Sequence, residues 1–153
     1  MLLFQTNFIN SYEVKIVTKI NSEILTNIDI ENESKYLLIL NTNLKSLNKN
    51  ELYELSKNSI IRQIIKKEEV VKYFELEKYS KLGDKLLKEK YTTLGFENKE
   101  KYSNFLNKEG FSVEILKEKL LIERLWNSLI YEKFKNKIKI DENDIKNKVE
   151  TFI

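Results

Sequence analysis

The stretch Asn104–Trp126, NFLNKEGFSVEILKEKLLIERLW, decides how this chain folds. Phe105 and Leu106 close one helix. Gly110 supplies the left-handed residue that turns the backbone out of it. Ser112 stands where an N-cap hydroxyl is needed, and Glu114 falls in the first turn, where its charge complements the helix dipole. A second helix then runs from Val113 to Phe134. With residues about 100° apart, Val113, Ile115, Leu116, Leu120, Ile122, Trp126, Leu129, Ile130 and Phe134 cover an arc of roughly 200°. A surface helix needs an apolar stripe only about half that wide. So much apolar circumference predicts either two covering neighbours or a face kept for a partner.

Working outward, the rest of the chain is predicted to be mostly helical. Val14, Ile16, Val17 and Ile20 alternate with lysines, which predicts a strand over Tyr12–Ile20. Asn21-Ser22 suits a two-residue turn, and Glu23–Leu25 returns as a second strand. Thr26 or Asn27 caps a helix of about fifteen residues, ended by the asparagine- and lysine-rich segment 41–50. A long helix is predicted over Glu51–Glu75, with Leu52, Leu55, Ile60, Ile61, Ile64, Ile65, Val71 and Phe74 on its buried side. Shorter helices follow at Ser80–Thr93, stopped by Gly95, and at Asn98–Lys108. Gly83 inside the first of these costs about 1 kcal/mol relative to alanine. Ile138 and Ile140 predict a short β segment, and Asp141 with Asp144 caps a last helix. The fold expected is mainly α, a multi-helix domain with a small two- or three-stranded β ribbon near the termini.

Composition narrows function by exclusion. The 153 residues are 41% hydrophobic and 33% charged, and they carry a formal charge of only +3. This balance fits one globular domain with a real core. Lysines and glutamates alternate along nearly every helix, the pattern of a solvated face rather than a one-signed nucleic-acid footprint. With neither His nor Cys, zinc, thiol and serine–histidine chemistries lack their residues. The three glycines stand far apart, so no phosphate loop exists. The carboxylates Glu31 with Glu33, and Asp141 with Asp144, have the spacing of helix starts. No catalytic residue, metal ligand or cofactor site is expected, and no segment has the length of a membrane span. Met1–Ile9, MLLFQTNFI, lacks the basic start of a secretory signal. Residues 1–11 read either as a signal-peptide remnant or as an apolar arm ahead of a domain over 12–153.

Three segments carry a family resemblance. Around the central corner, N-F-L-x-x-E-G-x-S-x-E-x-L-x-E-x-L-x-I-E-R-L resembles the N-terminal domain of SurA-like periplasmic chaperones, a superfamily shared with the peptide-binding region of trigger factor. The matching positions are Leu106, Gly110 and Ser112, then Ile122, Glu123, Arg124 and Leu125. Val17–Ile30, VTKINSEILTNIDI, is similar to that family's opening segment. Lys137–Ile145, KIKIDENDI, is similar to its late strand and acidic-capped helix. The resemblance implies an exported, periplasmic, ATP-independent chaperone domain that holds unfolded outer-membrane or exported polypeptides. In that family a parvulin-type prolyl isomerase domain often follows. Its histidine-containing core has no counterpart in a chain without histidine.

On this basis the expected peptide-binding residues are Tyr102, Phe105, Leu106, Phe111, Ile122, Trp126, Ile130 and Phe134. Such a groove binds weakly and broadly, because apolar burial is non-directional and worth roughly 25 cal/mol per Å². Each of these side chains also has an ordinary reading as core. Glu123 and Arg124 read chiefly as a structural ion pair or as water-facing groups. Two other functions stay open: a helical interaction module whose wide arc is a homodimer interface, and the N-terminal part of a larger parvulin-type isomerase.

Overall fold

The computed structural model of the chain describes residues 13–137. It is mainly helical, with a small antiparallel ribbon near the N-terminus. The elements run β1 (Ile16–Ile20), β2 (Glu23–Thr26), α1 (Asn27–Leu40), α2 (Lys49–Val70), α3 (Ser80–Thr93), α4 (Lys99–Lys108) and α5 (Val113–Phe134). Short 3-10 turns at Thr42–Ser46 and Leu76–Tyr79 precede α2 and α3. The predicted third strand and last helix, at 138–153, lie outside the described residues, as does the segment 1–12.

The ribbon turns at Asn21, which takes φ 53°, a conformation asparagine tolerates better than most residues. β1 begins at Ile16 rather than Tyr12. Just before it, the Asn27 side chain takes over the ladder: its Oδ1 accepts from Lys15 N–H at 2.7 Å and its Nδ2 donates to the Glu13 carbonyl at 3.0 Å. Thr26 caps α1 in a reciprocal box with Asp29. Its hydroxyl oxygen accepts from Asp29 N–H at 3.3 Å, while the Asp29 carboxylate accepts from Thr26 N–H at 2.8 Å.

Both helix stops predicted from glycine form Schellman turns. At Gly110 (φ 75°), its N–H donates to the Asn107 carbonyl at 3.0 Å and Phe111 N–H to the Leu106 carbonyl at 2.9 Å. At Gly95 (φ 82°), the same pair of bonds reaches Thr92 at 3.0 Å and Tyr91 at 2.9 Å. By contrast, α2 stops at Val70, short of the predicted Glu75. The Val70 carbonyl accepts from both Tyr73 and Phe74 N–H groups, at 3.0 and 2.9 Å, which turns Phe74 back onto the core. No glycine, proline or asparagine marks that stop, so local sequence gave no sign of it.

The described residues divide into two compact units, 13–65 with 100–113 and 66–99 with 114–137. All three divisions fall inside helices α2, α4 and α5, which is why no linker composition announces them. In the first unit, Leu25, Ile30, Tyr36, Tyr102, Leu106, Phe111 and Val113 are buried. A polar seam joins α1 to α2 there: Ser59 Oγ donates to Glu33 Oε1 at 2.8 Å, and the buried Ser56 hydroxyl accepts from Ser34 Oγ at 2.8 Å. In the second unit, Val70, Leu121 and Leu125 form a cluster covered by Phe74, Leu76, Tyr79, Leu82 and Trp126.

Candidate functional site

The wide apolar circumference of α5 is largely consumed as core. Val113, Leu116, Leu121, Ile122, Leu125 and Leu129 are all buried. Leu121 and Leu125 lay outside the arc drawn from the sequence, yet they meet Val70 in the second unit's core. Ile115, placed within that arc, is 51% exposed. A helical wheel shows which positions are apolar, not which of them find neighbours.

The eight expected peptide-binding residues separate by burial and by unit. Tyr102, Phe105, Leu106 and Phe111 belong to the first unit, and Ile122, Trp126, Ile130 and Phe134 to the second. Tyr102, Leu106, Phe111 and Ile122 are core side chains. Phe111 stacks on Tyr36 with ring centroids 5.1 Å apart, so its aromatic face is used inside the fold. Tyr102 stacks on Phe105, one helical turn away, at 6.3 Å, and burial pushes its phenol pKa above the usual tyrosine range. These four side chains are packed within the fold, the core reading their sequence also allowed. Phe105, Trp126 and Ile130 are half-buried, and Phe134 is 42% exposed.

What remains accessible is a row on α5. Trp126, Ile130 and Phe134 follow at i, i+4 and i+8, the spacing that lines side chains along one side of a helix. Trp126 leans on the Val70–Leu121–Leu125 cluster, and exposure increases toward Phe134. Tyr131, 65% exposed, lies beside the row in the same turns. Lysines attend these aromatic rings. Lys137 Nζ lies 5.4 Å from the Phe134 centroid, and Lys135 Nζ lies 5.9 Å from that of Tyr131.

No family model, curated protein or solved structure matches the chain.

An open concavity in the second unit was not expected from sequence. It is an open groove of about 430 Å³ lined by Leu76, Leu121, Lys67, Lys117, Glu77, Glu114, Glu118 and Ser80. The ion pairs Lys67–Glu118 and Lys117–Asp84, each 2.5 Å, cross its margin. The Lys117 ammonium holds the Asp84 carboxyl below the usual aspartate range. The only sequence signal for this groove was the lysine–glutamate alternation, which reads equally as a solvated face.

Elsewhere several charged residues form ion pairs within the fold. Glu123 pairs with Lys66 at 2.6 Å, and Glu31 pairs with Lys35 at 3.6 Å. Lys72 and Lys133 hydrogen-bond Glu69 and hold its carboxyl below the usual glutamate range. Among the described residues, no three carboxylates gather in a way that could hold a metal ion. No described helix is long and apolar enough to cross a membrane.

Proposed function

We propose that this chain is an ATP-independent chaperone domain of the SurA N-terminal kind, which holds unfolded outer-membrane or exported polypeptides in the periplasm. The observation that carries this reading is the accessible row Trp126–Ile130–Phe134 on α5. It runs from half-buried Trp126 and Ile130 beside a packed core to exposed Phe134, with exposed Tyr131 beside it. Apolar and aromatic surface of this kind binds by desolvation and ring contact, without a nucleotide cycle, so occupancy follows the binding equilibrium. The segments behind the family resemblance lend local support. Val17–Ile30 folds as a hairpin leading into a capped helix, and Gly110 closes α4 just before α5.

The single tryptophan is the natural reporter. Titration with an unfolded, aromatic-rich outer-membrane protein segment should shift Trp126 fluorescence saturably and slow aggregation of that segment, while a polar peptide should do neither. No shift and no protection, together with a tight symmetric dimer in sedimentation, would replace this reading with a helical interaction module that buries the same row against a second copy.

A further inference from the structure

We infer that the open groove of the second unit is a subsite for a basic side chain, an arginine or lysine of an extended polypeptide. The inference rests on the reading that the partners are polypeptides, and it concerns a surface other than the α5 row. Leu76 and Leu121 give the groove an apolar floor, and Glu77, Glu114 and Glu118 stand on its rim beside Lys67 and Lys117. Both lysines are already committed, Lys67 to Glu118 and Lys117 to Asp84, each at 2.5 Å. An anionic ligand would therefore have to displace an internal carboxylate. A cation has a place waiting: Glu77, exposed in the turn Leu76–Tyr79, has no ion pair among the described residues.

An arginine or lysine side chain matches both halves of this surface. Its methylene stem can lie on Leu76 and Leu121 while its charged head stays at the wet rim beside Glu77, the way such side chains cover apolar surface at low cost. A purely aliphatic side chain would satisfy the floor and leave the Glu77 carboxylate without a counter-ion. A groove of about 430 Å³ is also of the size that small ligand groups occupy.

The test is a methyl NMR titration of the full chain with capped tripeptides of the form Gly-Xaa-Gly, where Xaa is arginine, norleucine or glutamate. The arginine peptide should move the Leu76 and Leu121 methyl signals along a saturable curve. Binding should weaken about fivefold in Glu77→Gln and further with added salt. Norleucine and glutamate peptides should leave those signals in place. Equal binding of norleucine, an unaltered affinity in Glu77→Gln, or no response to arginine would each overturn the subsite. The outcome is separable from the chaperone reading. Arginine peptides that move the groove while unfolded clients leave Trp126 silent would sink the client surface alone, and the reverse result would sink the subsite alone.

Discussion

Lys117 lies across Gly83: a β-carbon at that glycine would stand 2.9 Å from Lys117 Cε and 3.2 Å from its Cγ. The bare glycine backbone in α3 lets the lysine stem from α5 cross it. The ammonium then reaches Asp84 at 2.5 Å and Ser80 at 3.4 Å. Sequence alone marks Gly83 as a defect in a helix; in the structure it is the seat of a side chain from another helix.

Gly83→Ala should consequently depend on Lys117. In the native background, the helix-propensity gain of about 1 kcal/mol is offset by displacing the lysine, so stability should change little. In Lys117→Ala, the same substitution should stabilise by about 1 kcal/mol. Urea unfolding of the four variants in a double-mutant cycle measures the coupling, and additive effects would contradict the steric relationship.

The core of α5 gives a sharper contrast. Leu125→Ala removes a buried side chain that touches Val70 and should cost about 2–5 kcal/mol. Ile115→Ala, at an exposed position of the same helix, should stay within about 0.5 kcal/mol. Chemical denaturation of both variants checks the distinction, which the helical wheel reverses.

In the first unit, Glu33→Ala should destabilise by about 1–3 kcal/mol, because it strips a buried seam of its acceptor and leaves the Ser59 hydroxyl behind. Ser59→Ala should cost less, since the glutamate it leaves keeps further interactions. Equal losses in thermal melts of the two variants would show that the seam is not organised around the carboxylate.

Stability should fall at both ends of the pH range. Glu69, bonded by Lys72 and Lys133, and Asp84, bonded by Lys117, titrate below their ordinary values of 4.5 and 3.8. Their contribution is complete above those values and is lost as pH falls through the lower folded-state pKa values. On the alkaline side, Lys72 is raised above 10.5 by Glu69, and Lys133 by Tyr73 and then Glu69. Tyr102 is raised above 10.0 by burial. Contributions from these groups are complete below the ordinary values and are lost as pH rises through the higher folded ones. Urea midpoints across pH should show both limbs, with Glu69→Gln flattening the acid one.

The α1 cap offers a local test. Thr26→Ala removes the hydroxyl that accepts from Asp29 N–H and should cost about 0.5–2 kcal/mol. Thr26→Ser should retain most of the stability, because it keeps that acceptor. An alanine variant as stable as the serine one would show that the box contributes nothing.

The sequence by itself determined the local structure: the turn at Asn21, a cap at Thr26 or Asn27, the glycine stops at Gly95 and Gly110, and the limits of α3 and α5. These features depend on backbone preferences and hydrogen bonds within a few residues, so the residue types announce them. Only the tertiary structure decided which apolar side chains are used up in packing. Leu121 and Leu125 became core because Val70 stands against them, while Ile115 stayed in water. Tyr102 and Phe111 left the candidate surface because stacking partners and burial claimed them. The early stop of α2 and the groove above Leu76 and Leu121 have the same origin. Burial depends on neighbours distant in sequence, and the alternation of lysine, glutamate and leucine along a helix is much the same whether or not those neighbours arrive.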